Sequence, residues 1–286
     1  MPVSLAETAL LGALAGFTIY LGLPFARLQM LGSRSRVGLA MFSVGVLSFL
    51  FVDVLEHAFA LVEDAVTAYR DGDASFGHAA GLAGLMGGGF ALGSAGLALL
   101  EARIRPVKPQ PIPIAGGAPE MTVEEARQFV EDSTARARAL RTGMTIAAAI
   151  GLHNFAEGLA IGVSASTGEI SLATVLIVGF ALHNTTEGFG IVGPLGNVRP
   201  SWRWLALAGL VGGGPTFFGS LLGYTVNSGP LELSFYAVSG GAILYVIGEV
   251  WNGMRRYGHR ELGLILLACG FFAGVLTDLI VVYGGG

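Results

Sequence analysis

The sequence predicts an all-α, polytopic membrane protein of eight transmembrane helices, and three observations carry that expectation. Hydrophobic residues make up 53% of the 286 and charged residues only 13%, about half the charge of a soluble domain, with a mean hydropathy of +0.67. Cut at its polar segments, the chain leaves apolar stretches at 5–27, 37–61, 78–101, 141–164, 170–193, 204–226, 233–252 and 261–283. Each is near the roughly 20 residues that a helix needs to cross a bilayer. Finally, every one of the 16 Lys and Arg except Arg70 falls in alternate connections.

Taken in order, the first stretch has no positively charged leader and no small-residue cleavage site, so it reads as a retained helix rather than a signal peptide. Arg27, Arg34 and Arg36 separate it from the second stretch, whose outer half carries Asp53, Glu56 and His57. After the third comes the one long connection, 102–140. It opens with Pro106, Pro109, Pro111, Pro113 and Pro119, an extended composition, and then sets Thr122 three residues before Glu125, the pattern of a capping box that opens a short amphipathic helix. It contains no histidine, as a metal-sensing loop would, and reads as a solvated cytoplasmic segment. The fourth and fifth stretches carry the motif described below. The sixth contains Gly213-Gly214-Pro215, the seventh Glu249, and the eighth Asp278 and Cys269, the single cysteine, which excludes an internal disulfide and a cysteine-built zinc site. The 45 glycines favour close helix contact.

By the positive-inside rule, the basic connections are cytoplasmic and both termini extracytoplasmic. The chain is then one transmembrane domain, 1–286. Stretches 1–3 begin outside and 6–8 begin inside, so the two triplets fit an inverted repeat around stretches 4 and 5, a 3+2+3 arrangement.

Those two central stretches spell one phrase twice, thirty residues apart: His153-Asn154-Phe155-Ala156-Glu157-Gly158 and His183-Asn184-Thr185-Thr186-Glu187-Gly188. His and Glu four residues apart share a helix face and can hold one cation together. Imidazole nitrogen and carboxylate oxygen suit zinc and first-row divalent ions, and two glutamates neutralise a dication. Asn154 and Asn184 stand about 100° round the helix from the histidines, placed to add carbonyl oxygens or to line the access route. A buried pair that merely fastens helices explains one copy as well as a metal site does; it does not explain a repeated spelling. Asp53, Glu56 and His57 read equally as a cation-collecting vestibule or as side chains snorkelling to the interface. Glu249 marks an exit or pairs with Arg255 or Arg256. His78 and His259, at stretch ends, read as solvated.

These residues resemble the ZIP family of zinc and iron transporters over essentially the whole chain, as a divergent bacterial-type member. The eight stretches, the long connection after the third, the run from His153 to Gly162 and the second phrase in stretch 5 carry the likeness. It implies a metal site of His153, Glu157, His183 and Glu187 with Asn154 and Asn184 facing a second site, uptake by an elevator-like movement, and a homodimer. The chain departs from the family pattern where Ala156 and Thr186 replace prolines that bacterial relatives place before the Glu, where Gly214 precedes Pro215 without an acidic residue, and where Asn184 replaces a bridging aspartate. Leu47 likewise offers no ligand in stretch 2. These departures favour one well-formed site over two.

The function expected is transport of a divalent cation, zinc first, with ferrous iron, manganese and cadmium open, into the cytoplasm across a plasma or bacterial inner membrane. The metal is substrate rather than cofactor, the partners are the metal and the lipid bilayer, and no nucleic-acid partner is expected. The competing readings are an intramembrane zinc hydrolase, which lacks a His-Glu-x-x-His motif and any nucleophile with an obvious base, and a receptor that binds metal without conducting it. Histidine ligates only when neutral, so binding releases protons. Metal affinity is therefore expected to be lower at about pH 5.5 than at about pH 7.5, and calorimetry giving equal affinities would exclude histidine ligation.

Overall fold

The computed structural model describes residues 3–27, 32–104, 122–167, 170–226 and 228–283 of the chain; the side chains of 167, 170–178 and 281 are not described. The described residues are helical, with no strand among them. In chain order the helices are α1 (Leu5–Arg27), α2 (Ser33–Asp71), α3 (Phe76–Ile104), α4 (Val123–Thr167), α5 (Ile170–Val192), α6 (Trp202–Thr225), α7 (Gly229–Arg255) and α8 (Arg260–Tyr283). All except α5 are long and apolar enough to cross a membrane over their described residues, seven spans in all. The protein is a multi-pass membrane protein.

Local chemistry sets the helix ends. Ser4 and Glu7 close a reciprocal capping box at α1, and Ser75 and Ser201 cap α3 and α6. Gly72, at φ 89°, ends α2 in the left-handed conformation that glycine adopts without penalty. The capping box expected at Thr122 and Glu125 forms, with Thr122 N–H donating to Glu125 at 2.8 Å and Glu125 N–H donating to Thr122 Oγ1 at 3.2 Å.

Two expectations about length need correction. The helix opened by that box is not short; it runs unbroken through stretch 4 as the 45 residues of α4, because nothing between 123 and 141 is a helix breaker. Likewise α2 continues ten residues beyond the apolar stretch, to Asp71, on a polar extension that includes Glu63, Asp64 and Arg70. Hydropathy sees only the part of a helix in hydrocarbon, whereas backbone hydrogen bonding continues beyond it. The proline-rich part of 102–140, Pro106 to Pro119, lies outside the described residues.

The helices pack in two groups. In one, α4 lies along α6, α6 against α1, and α5 against α1 and α4; in the other, α2 lies along α8 and α7, and α3 against α7. The groups meet where α7 packs on α4 and α2 on α5. Bare backbone makes the tightest crossings. A Cβ on Gly45 of α2 would lie 2.0 Å from the Leu267 carbonyl oxygen, and one on Gly270 of α8 equally close to that of Phe42. Gly93 and Gly241 interlock α3 and α7 in the same way, and Gly16 and Gly213 interlock α1 and α6. Large apolar side chains such as Leu21, Phe218 and Phe272 point outward, as they do where the solvent is lipid.

These contacts give opposite expectations for two glycine substitutions. Gly45→Ala forces backbone apart and should cost about 1–3 kcal/mol, whereas Gly84→Ala, with open space around it, should be neutral or stabilising by up to about 1 kcal/mol. Thermal unfolding in detergent checks this; equal midpoints for both variants would contradict the packing.

Candidate metal centre

The two phrases fall on antiparallel neighbours, α4 and α5, and both helices run straight through them, with Ala156 and Thr186 leaving the backbone hydrogen bonds intact. Glycine permits the approach that brings the phrases together with α6 and α1. A Cβ on Gly158 would fall 2.2 Å from the Thr216 carbonyl oxygen, and one on Gly188 would fall 2.8 Å from Gly22 Cα.

His153, Glu157 and His183 each direct one ligand atom into a common point, all three within 4.8 Å of one another and all buried. His183 Nε2 meets Glu157 Oε1. His153 Nε2 lies 3.1 Å from that same oxygen and 3.7 Å from Glu187 Oε1, yet makes no directed hydrogen bond; Glu157 Oε2 and Glu187 Oε1 are likewise buried without a hydrogen-bond partner. Beside the His183–Glu157 contact, one imidazole nitrogen and two carboxylate oxygens crowd together without a hydrogen-bond partner, and the four groups can form a donor set for a cation, two nitrogens and two carboxylates with no sulfur. Cys269 lies exposed on α8.

Side chains and carbonyls around this set fix it. Ser239 of α7 bonds His153 Nδ1 at 2.9 Å, which leaves Nε2 to face the centre, the usual arrangement for a ligating imidazole. Asn154 Nδ2 donates to Glu187 Oε2 at 3.1 Å and to the Gly212 carbonyl at 3.0 Å. Asn184 Nδ2 donates to the Ala15 carbonyl at 3.1 Å. The asparagines therefore clamp α4 to α6 and α5 to α1. Neither asparagine is among the residues that line the cavity, and the Oδ1 atom of each is buried without a hydrogen-bond partner among the described residues.

That cavity, of about 440 Å³, is lined by His153, Glu157 and His183 and by Asp53, Glu56, His57 and Asp278, which lie toward the end of the bundle where Arg70 is the one basic residue among the described residues. His57 Nδ1 approaches the Asp53 carbonyl at 2.9 Å, and its ring packs on Tyr236, whose hydroxyl donates to Glu232 at 3.1 Å. Glu187 and Glu249 are not among the cavity's lining residues; Glu249 stands on α7 near the arginine-rich end. His259 is exposed, as expected of a stretch end, but contacts Ser33 at 3.2 Å.

Sequence reading missed Ser239, the Gly212 and Ala15 carbonyls and Tyr236. A lone serine in an apolar helix and a backbone carbonyl carry no signal of their own. Asp278, which the sequence leaves ambiguous between a pathway role and simple pairing, lies on α8 beside α2 and lines the cavity.

The described residues thus combine membrane-spanning helices with a buried His/Glu cluster at a cavity that Asp53, Glu56, His57 and Asp278 also line. Residues 116–247 match the family described as ZIP Zinc transporter. A curated relative, Zinc transporter ZupT of Clostridium perfringens (strain 13 / Type A), is 29% identical over 164 residues, covering 56% of each chain; the chain thus spans little more than half the length of that relative. Over those residues the chain is similar to ZIP zinc transporters. Both describe transporters, not enzymes.

Removing the Ser239 hydroxyl frees the His153 ring to turn. Ser239→Ala should weaken zinc binding roughly tenfold while leaving thermal stability without metal nearly unchanged, as calorimetry and unfolding would read; unaltered affinity would show that the bond does not orient the ligand.

Proposed function

We propose that the protein carries a divalent metal cation, zinc foremost and ferrous iron, manganese or cadmium as further substrates, from outside into the cytoplasm of the cell bounded by a plasma or bacterial inner membrane. The observation that carries this reading is the convergence of the buried His153, Glu157 and His183 ligand atoms at a cavity that Asp53, Glu56, His57 and Asp278 also line. Glu187 completes the donor set, and the metal is cargo rather than cofactor.

Direction follows from charge. The cavity faces away from the arginine-bearing connections, which the positive-inside rule assigns to the cytoplasm; the cavity is then external, as are both termini, and α5 is the eighth span. Asp53, Glu56, His57 and Asp278 collect cations at the mouth. By the same family likeness the working unit is a homodimer.

The packing pattern supports the 3+2+3 inverted repeat. Exchanging α1 with α6, α2 with α7, α3 with α8 and α4 with α5 turns the α2–α8 contact into α7–α3 and the α2–α5 contact into α7–α4, all of them present. Single residues follow. Asn184 to the Ala15 carbonyl answers Asn154 to the Gly212 carbonyl, Gly16 faces Gly213, and Gly22 against Gly188 answers Gly219 against Gly158. On α1 and α6 the partners differ by the same 197 positions each time (15 and 212, 16 and 213, 22 and 219). On α2 and α7 the spacing from Gly45 to Gly241 also carries Asp53 onto Glu249, and on α3 and α8 the spacing from Gly93 to Gly270 carries Glu101 onto Asp278. This supports the exit role for Glu249, with Glu101 beside it as the inner answer to the outer Asp53 and Asp278. Inverted repeats of this kind transport by exchanging the conformations of their halves. The two packing groups supply the parts: α1, α4, α5 and α6 bear the site and move as an elevator against α2, α3, α7 and α8.

The test is uptake into proteoliposomes with a panel of divalent ions, beside Glu157→Ala and His183→Ala. Native protein should take up zinc well above empty vesicles, and each variant should lose at least about 90% of that rate, since a donor set missing one member leaves buried charge uncompensated. Tight binding without uptake would replace transport by the receptor reading.

A further inference from the structure

The spacing of 196 positions that carries Gly45 of α2 onto Gly241 of α7 also carries Ser43 onto Ser239, just as 30 positions carry His153 onto His183. Ser239 bonds His153. In a strictly symmetric molecule Ser43 would bond His183. It does not: a Cβ on Gly190 would lie 2.9 Å from Ser43 Oγ, so Ser43 sits beside a residue seven positions past His183, about 10 Å along the helix. Ser43 is completely buried and its hydroxyl has no hydrogen-bond partner. Buried hydroxyls are nearly always bonded, and an exception calls for an explanation.

We propose that Ser43 is the waiting partner of His183, a positioning residue that takes up His183 Nδ1 when the site-bearing helices slide toward the cytoplasmic end, as Ser239 releases His153 Nδ1. The inference rests on the transport reading and deepens it. Ser239 and Ser43 both belong to the static group and His153 and His183 to the moving one, so either bond spans the two groups and both cannot form at once. The present registers differ between the halves by those seven residues, two helical turns; a stroke of about 10 Å exchanges them. His183 already turns Nε2 toward Glu157, which makes Nδ1 the atom equivalent to the one Ser239 holds on His153. Each serine therefore keeps one imidazole in the ligating tautomer at one end of the stroke, and the hydroxyl without a partner belongs to the state not occupied here.

The experiment reads which state is populated. With Cys269→Ala as background, Thr277→Cys places a thiol on the wall of the outer cavity, and its labelling rate by a membrane-impermeant maleimide in sealed vesicles reports the outward-open fraction. Ser239→Ala should lower that rate roughly three- to tenfold, the effect of one lost hydrogen bond on a two-state balance, and adding Ser43→Ala should restore it. Gly190→Ala, which crowds Ser43 only in the present register, should lower labelling by a similar factor and keeps the test decisive if Ser43→Ala does not fold. Ser48→Ala, five residues further along α2 and bonded to its own helix, should change nothing. Labelling indifferent to both Ser43→Ala and Gly190→Ala, with zinc uptake by the native protein intact, overturns the inference and leaves transport standing. Absence of uptake by the native protein overturns the reading beneath it.

Discussion

Two imidazoles and two carboxylates buried at one point in an apolar bundle are the constraint on which the rest of the structure depends. Taking a carboxylate out of water costs several kcal/mol even after the protein relaxes. Glu157 has histidine nitrogens close by on both helices, and Glu187 accepts a hydrogen bond from Asn154. Neutral imidazoles do not balance two negative charges; a dication does. The donor set is thus most comfortable when loaded, and the cavity above it supplies the way in.

Holding that set together takes more than the four ligands. Helices separated by ordinary side chains stay 8–10 Å apart, and the phrases meet because glycine removes the side chain at each crossing. Gly158 and Gly188 bring α4 against α6 and α5 against α1, and Asn154 and Asn184 then lock those pairs through backbone carbonyls. Each sextet is therefore a ligand face and a clamp face on one turn and a half of helix. This explains why His, Asn, Glu and Gly recur together: Asn and Gly serve the packing that the His/Glu pair requires.

The doubled phrase, the apolar stretches and the one-sided arginines were legible in the sequence, because each is a local pattern with its own period. What was not legible is what the third dimension adds. Ser239 lies 86 positions from His153 and acquires meaning only when α7 crosses α4. The contacts of Asn154 and Asn184 with α6 and α1 were not legible because a helical wheel gives the angle between two residues but not which neighbour each faces. Helix lengths beyond the bilayer were missed because hydropathy measures the solvent, not the helix. The inverted repeat is an expectation from the alternation of spans, and the register proposed for it rests on contacts between backbones, which no comparison of side chains in the two triplets would reveal.

On the transport reading, the departures from the family pattern have a physical sense. A carrier must bind its ion well enough to load and loosely enough to unload, a compromise that channels and carriers share. Two carboxylates already match the charge of a dication; a third, at Asn184 or Gly214, would leave excess negative charge in a medium where each unit of charge is costly, and the ion would be held rather than passed on. Asn184 instead keeps that position neutral and donates its amide N–H to the Ala15 carbonyl, which also fastens α5 to α1. A single neutralised site clamped to helices that move with it can travel through the low-dielectric interior without net charge. The ion then crosses with its ligands, and the membrane is asked to accommodate a dipolar cluster rather than a bare dication.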